Sequence, residues 1–123
     1  MTTWRVSWKE SRYDYKQLIE DFRTNRHTGF IKQSKGMAKM RVIPQINDDV
    51  YISCNKKKIM RCKVVSNFVE NQQEMRDDYH KGPTSTHAHT QNNTFLMLHI
   101  IDTYTDPEAD FLQGNQRTWT RLH

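Results

Sequence analysis

VYISCNKKKIMRCKVVSNFV, residues 50–69, decides the fold of this chain. Its first five residues alternate, which puts Val50, Ile52 and Cys54 on one face. After a polar turn over Asn55 to Lys58, the run that follows places Met60, Cys62, Val64 and Phe68 on one face, with Arg61 and Lys63 opposite. Period-two alternation on both sides of a short polar break is the pattern of a β-hairpin with one face in a core. Cys54 and Cys62 are the only cysteines, without CxxC spacing, and read as reduced core thiols.

Upstream, Thr3 to Trp8 reads as a strand with Trp4, Val6 and Trp8 on one face and Thr3, Arg5 and Ser7 on the other. Ser11 followed by Asp14 resembles a capping box. Tyr15, Leu18, Ile19 and Phe22 then recur at helical spacing, and Gly29 ends the connection after that helix. GFIKQSKGMAKM (29–40) reads as a strand, a turn and a short basic helix; Pro44 breaks any strand, and INDD (46–49) supplies a turn. Downstream, residues 71–93 are nearly devoid of apolar side chains. The whole of 71–93 is expected to be a flexible loop, in which a short helix fits at 73–79 and GPTSTHAHTQNN (82–93) is exposed. TFLMLHII (94–101) is apolar on both faces and is the expected central strand, followed by a helical segment at 106–113 and a last strand at 117–122.

The 123 residues suit one domain, and 35% hydrophobic residues with a mean hydropathy of -0.95 imply a small core. No apolar run reaches membrane-spanning length and the N-terminus shows no signal-peptide pattern, so a soluble intracellular protein without a membrane partner is expected. Nineteen Lys and Arg against fourteen Asp and Glu give a net charge of +5, which suits phosphate backbones and other anionic surfaces. The expected fold class is α+β, a small, strongly curved, mostly antiparallel sheet or open β-barrel with flanking helices.

Several segments, in order, resemble the EVE branch of the PUA-like superfamily, related to ASCH and YTH domains. TWRVSWKES (3–11) stands where EVE domains open with an aromatic-Trp strand and Lys-Ser-Glu; TGFIKQSKGMAKM (28–40) stands at their glycine segment. INDDVYIS, KKIMRCKVVS, FLMLHIID and GNQRTWTRL fall at the later strands. Two positions depart from the pattern. His27 and Thr28 precede Gly29 where a Trp is common, and Asn47-Asp48 replaces a Gly-Asp turn.

The resemblance implies a nucleic-acid partner, DNA or RNA, and a pocket between the first strand, the glycine segment and the last strand that holds a single-stranded or flipped nucleobase, modified bases included, without catalysis and without a cofactor. A base is gripped by aromatic stacking and edge hydrogen bonds while cations hold flanking phosphates. Trp8 and Trp119 are the candidate planes, Ser7, Ser34, Asn115 and Gln116 the edge readers, and Lys9, Lys32, Lys35, Arg117 and Arg121 the phosphate contacts. Trp4 is assigned to the core, whereas Trp8 sits at the strand end, where the face can open.

Two alternatives stand beside this reading. A small ASCH-type nuclease or nucleoside hydrolase would use Lys9, Glu10 or His27, or a Cys54 or Cys62 thiol with His99. A protein-interaction module would use the basic face. Among His80, His87, His89 and His99 only the HAH pair is close, so no metal site is expected.

Overall fold

A computed structural model of the chain describes residues 1–36, 39–71, 77–81, 93–104 and 119–122. The hairpin forms as β3 (Asp49–Cys54) and β4 (Lys57–Val64), antiparallel. Its turn is tighter than expected: only Asn55 and Lys56 lie between the strands, at φ 53° and 62°. Left-handed backbone at both central residues matches the twist of the flanking strands, and Asn tolerates it best after Gly.

Val50, Ile52, Cys54, Met60, Cys62 and Val64 are buried, as the alternation requires. Ser53 and Ile59 are buried too, because the β3–β4 register shifts at Ile52/Ser53. A second shift separates Arg61 from Cys62 where β4 pairs with β6 (Asn93–Thr103). Each such irregularity adds local twist and bend. On the outer face Arg61 Nη2 meets Asp102 Oδ2 at 2.9 Å, and Lys63 Nζ meets Asp49 Oδ1 at 3.3 Å.

β1 (Thr3–Trp8) lies beside β3 in parallel and beside β7 (Trp119–Leu122) in antiparallel fashion. β2 (Phe30–Ser34) and β5 (Val69–Asn71) both pair with β6, which therefore has three strand neighbours. It is an internal strand but stands next to the edge strand β2 rather than at the centre of the order, and Ile101 on it is exposed. The order is β2-β6-β4-β3-β1-β7 in one seven-stranded sheet. β2 and β7 end that order at opposite sides, yet the Trp119 Nε1–H donates to the Ser34 carbonyl at 2.9 Å. Such a contact requires the sheet to curl back on itself. The result is a strongly curled half-barrel, mostly sheet, with one short helix among the described residues.

That helix, α1 (Tyr15–Arg23), starts one turn later than the Ser11 capping box suggests. Residues 9–13 instead form a turn, in which the Lys9 carbonyl accepts from the Arg12 and Tyr13 N–H groups. Asp14 is the N-cap, its carboxylate accepting from the Gln17 N–H at 3.2 Å. Leu18 and Ile19 are buried against the sheet, each stabilising by about 1.5–3 kcal/mol. Gly29 closes the connection at φ 88°, where a Cβ would stand 2.7 Å from Phe22 Cε1. A side chain there would have to displace the Phe22 ring and would hold a strained backbone conformation.

The basic helix expected within 29–40 does not form among its described residues: Gly36 turns at φ 65°, and Lys39 and Met40 are irregular. The turn at Asn47 forms, with φ 76°, and buries Asp48 behind it. The Asp48 carboxylate accepts from three N–H groups, those of Thr2 (3.1 Å), Gln45 (2.9 Å) and the Trp4 indole (3.1 Å). The helix expected at 106–113, most of that at 73–79 and most of the loop at 82–93 lie outside the described residues. Residues 77–81 are docked rather than loose: Tyr13 and His80 form a β-bridge, and the Asp14 N–H donates to the Tyr79 carbonyl at 2.7 Å.

Candidate functional site

The seam between β1, β2 and β7 collects four residues of interest. Trp8 is half-buried, donates its indole N–H to Gln33 Oε1 at 2.8 Å, and lies tilted against the Tyr13 ring at 4.7 Å. Gln33 is buried and passes the chain on, its amide donating to the Ser34 carbonyl. Trp119 is 4% exposed, with Trp4 and Phe68 edge-on to it, each at 5.9 Å. Trp4 is buried, as expected. The ring expected of Trp119 as a stacking plane is thus part of the core, and its indole N–H ties the two ends of the sheet together.

The remaining candidates are dispersed. The Ser7 hydroxyl lies 3.4 Å from that of Ser53, on the opposite face of β1 from Trp8. Ser34 Oγ accepts from the Gly36 N–H, and the Lys35 N–H donates to the Thr94 carbonyl. Lys32 is exposed on the outer face of β2, its ammonium 5.0 Å from the centre of the Phe95 ring. Lys9 and Arg121 are exposed. Asn115, Gln116 and Arg117 lie outside the described residues.

A cleft of about 440 Å³ lies elsewhere, between α1 and the β3–β4 turn. The helix contributes Tyr15, Lys16, Ile19 and Arg23, the hairpin Cys54, Asn55, Lys57 and Ile59, and the preceding loop Glu10. Tyr104, at the end of β6, closes the wall; its N–H donates to the Ile59 carbonyl. Helical spacing places Tyr15, Ile19 and Arg23 along one side, four residues apart. Arg23 is held by donation from Nε to Thr103 Oγ1 at 2.8 Å. The Lys58 ammonium sits 4.8 Å from the centre of the Tyr104 ring, so the aromatic wall carries positive charge beside it.

Two reactive groups lie in this cleft. Burial, and then the nearby Glu10 carboxylate, push the Cys54 thiol up. Glu10 is shifted down, first by the Asn55 amide donating to Oε2 at 2.8 Å and then by Lys16, whose ammonium lies 3.4 Å from Oε1. Cys62, behind the sheet, is pushed up by burial alone, and the register that turns it inward turns His99 outward, where it stacks on Phe30 at 4.6 Å. A thiol held neutral is a poor nucleophile.

The chain matches no family model and no curated protein sequence.

A third cluster joins the docked segment to the helix. Tyr13 donates to Asp77 Oδ2 at 2.7 Å, and Tyr79 donates to Asp21 Oδ2 at 2.8 Å. Burial and then the Asp21 contact push the Tyr79 hydroxyl up to about 12. His80 meets Tyr13 edge-on at 4.9 Å, and His27 meets Tyr79 at 5.6 Å while its Nδ1 accepts from the Gly29 N–H. Among the described residues no group of three His, Cys, Asp or Glu side chains could hold a metal ion, and no helix is long and apolar enough to cross a membrane.

The cleft beside α1 is not legible in the amino-acid sequence, in which the tryptophans are the conspicuous residues. Its walls come from four separate stretches of chain, and no single stretch carries a motif. The one local signal was the KKK run after Asn55, set opposite a helix that shows Lys16 and Arg23.

Proposed function

We propose that this domain binds single-stranded nucleic acid without catalysis, as an EVE-like member of the PUA-like superfamily. The observation that carries the reading is the cleft beside α1, where two tyrosines stand among Lys16, Arg23 and Lys57. Its volume falls in the range of small-ligand sites and suits one nucleotide unit of a longer strand. Tyrosine rings stack on any base, and cations spaced around them neutralise the flanking phosphates. The net charge of +5 favours the same partner. A non-catalytic role is supported by the raised thiol of Cys54 and by the engagement of Glu10 with Asn55 and Lys16. The curled half-barrel, with its helix after the first strand, supports the PUA-like assignment.

The test is fluorescence anisotropy with short labelled DNA and RNA strands over a salt series. Binding should weaken steadily as salt rises, because each neutralised phosphate releases counterions. Arg23→Gln and Lys57→Gln should each flatten the slope of log affinity against log salt by about 0.7. Tyr104→Ala should weaken binding by about 1–3 kcal/mol. Affinity indifferent to salt, or no binding at low salt, would remove this reading.

A protein-interaction module is favoured by one feature: Val42, Ile43 and Ile46 lie exposed around Pro44, at 42%, 48% and 50%.

A further inference from the structure

We propose that Glu10 makes this cleft selective for guanine; the proposal rests on the nucleic-acid reading above. Glu10 is the carboxylate that lines the cleft, and it is fixed from two sides. Asn55 donates to Oε2 at 2.8 Å, and the Lys16 ammonium lies 3.4 Å from Oε1. Asn55 is itself held in a two-residue turn between paired strands, at φ 53°. The side chain is 40% exposed and its lysine partner 71%, and an ion pair this open adds little to stability. The Lys16 pair is therefore a weak reason for a carboxylate among Lys16, Arg23 and Lys57, and the Asn55 hydrogen bond fixes where that carboxylate stands in the cleft.

Each carboxylate oxygen has two lone-pair sites. With one contact made at each oxygen, each retains capacity for one more donor. A carboxylate in that state is matched by a planar group presenting two adjacent N–H donors. Guanine offers that pair on its Watson–Crick edge, at N1–H and the 2-amino group. Adenine and cytosine each place an amino donor beside a ring-nitrogen acceptor. Uracil and thymine place a single N–H between two carbonyls. The last two arrangements set lone pairs against Glu10, which is repulsive. Ionised Glu10 is the state required, and both of its donors favour that state.

The experiment uses the full chain and oligouridine strands carrying one central guanosine, adenosine, cytidine or inosine. The guanosine strand should bind roughly tenfold more tightly than the adenosine strand, as one bidentate contact would give. Inosine, which lacks the 2-amino group, should lose most of that gain. Glu10→Gln should bring the guanosine-to-adenosine ratio close to one, with folding checked by thermal melting. Lys57→Gln should lower affinity for every strand and leave the ratio as it was. Binding of all strands with no preference would overturn this proposal alone, as would a preference that survives Glu10→Gln. Binding of none would overturn it together with the functional reading.

Discussion

Asp48→Ala should destabilise the domain by about 3 kcal/mol, most of it through Trp4. Asp48 is 4% exposed, and its carboxylate accepts from the N–H groups of Thr2 and Gln45 and from the Trp4 indole. Removing it leaves all three donors without that acceptor. Trp4 is 3% exposed, so its indole cannot turn to water and bears the full desolvation penalty, about 1–3 kcal/mol. The two main-chain donors lie nearer the surface and recover part of their loss by hydration. For a domain of this size the total corresponds to a fall in Tm of roughly 10–15 °C.

Urea titration is the assay, with the midpoint displaced and the slope retained. The effect should depend on pH in a defined sense. Burial alone would raise the Asp48 carboxyl, but the donors from Gln45, Trp4 and Thr2 hold it below its ordinary value of 3.8. A depressed folded value contributes stability that is present above 3.8 and is lost as the pH falls through the lower folded value. The gap between wild type and Asp48→Asn should therefore be full at neutral pH and close in strong acid. Equal midpoints for wild type and Asp48→Ala at neutral pH would refute the assignment. A gap that persists unchanged in acid would refute its electrostatic part.

Gly29→Ala should cost about 1–3 kcal/mol in the same assay, since the new Cβ meets Phe22 at 2.7 Å and φ 88° strains any other residue. Trp119→Phe keeps the ring against Trp4 and Phe68 but loses the hydrogen bond to Ser34. It should cost about 1 kcal/mol, with hydrogen exchange rising in β2 and β7 before the rest of the sheet.

The amino-acid sequence by itself determined the local elements. Alternation over 50–64 is enough to place Val50, Ile52, Met60 and Cys62 in a core, because successive strand side chains must face opposite ways. The helical spacing of Leu18 and Ile19, and the backbone demand at Gly29, were legible for equally local reasons. Tertiary structure decided everything that joins distant stretches. Register shifts at Ile52/Ser53 and Arg61/Cys62 bring Ser53 and Ile59 inside and bend the sheet, and no composition signal marks them. Arg5 is buried on what alternation makes an outward face, beside its strand partners Tyr51 and Thr120. The curl then carries Trp119 across to Ser34, and turns an apparent stacking plane into a closure of the sheet. It also sets α1 against the β3–β4 turn, where Glu10, Lys16, Arg23 and Lys57 first become neighbours. Periodicity is a property of bonded neighbours, whereas a cleft depends on how far the whole sheet bends.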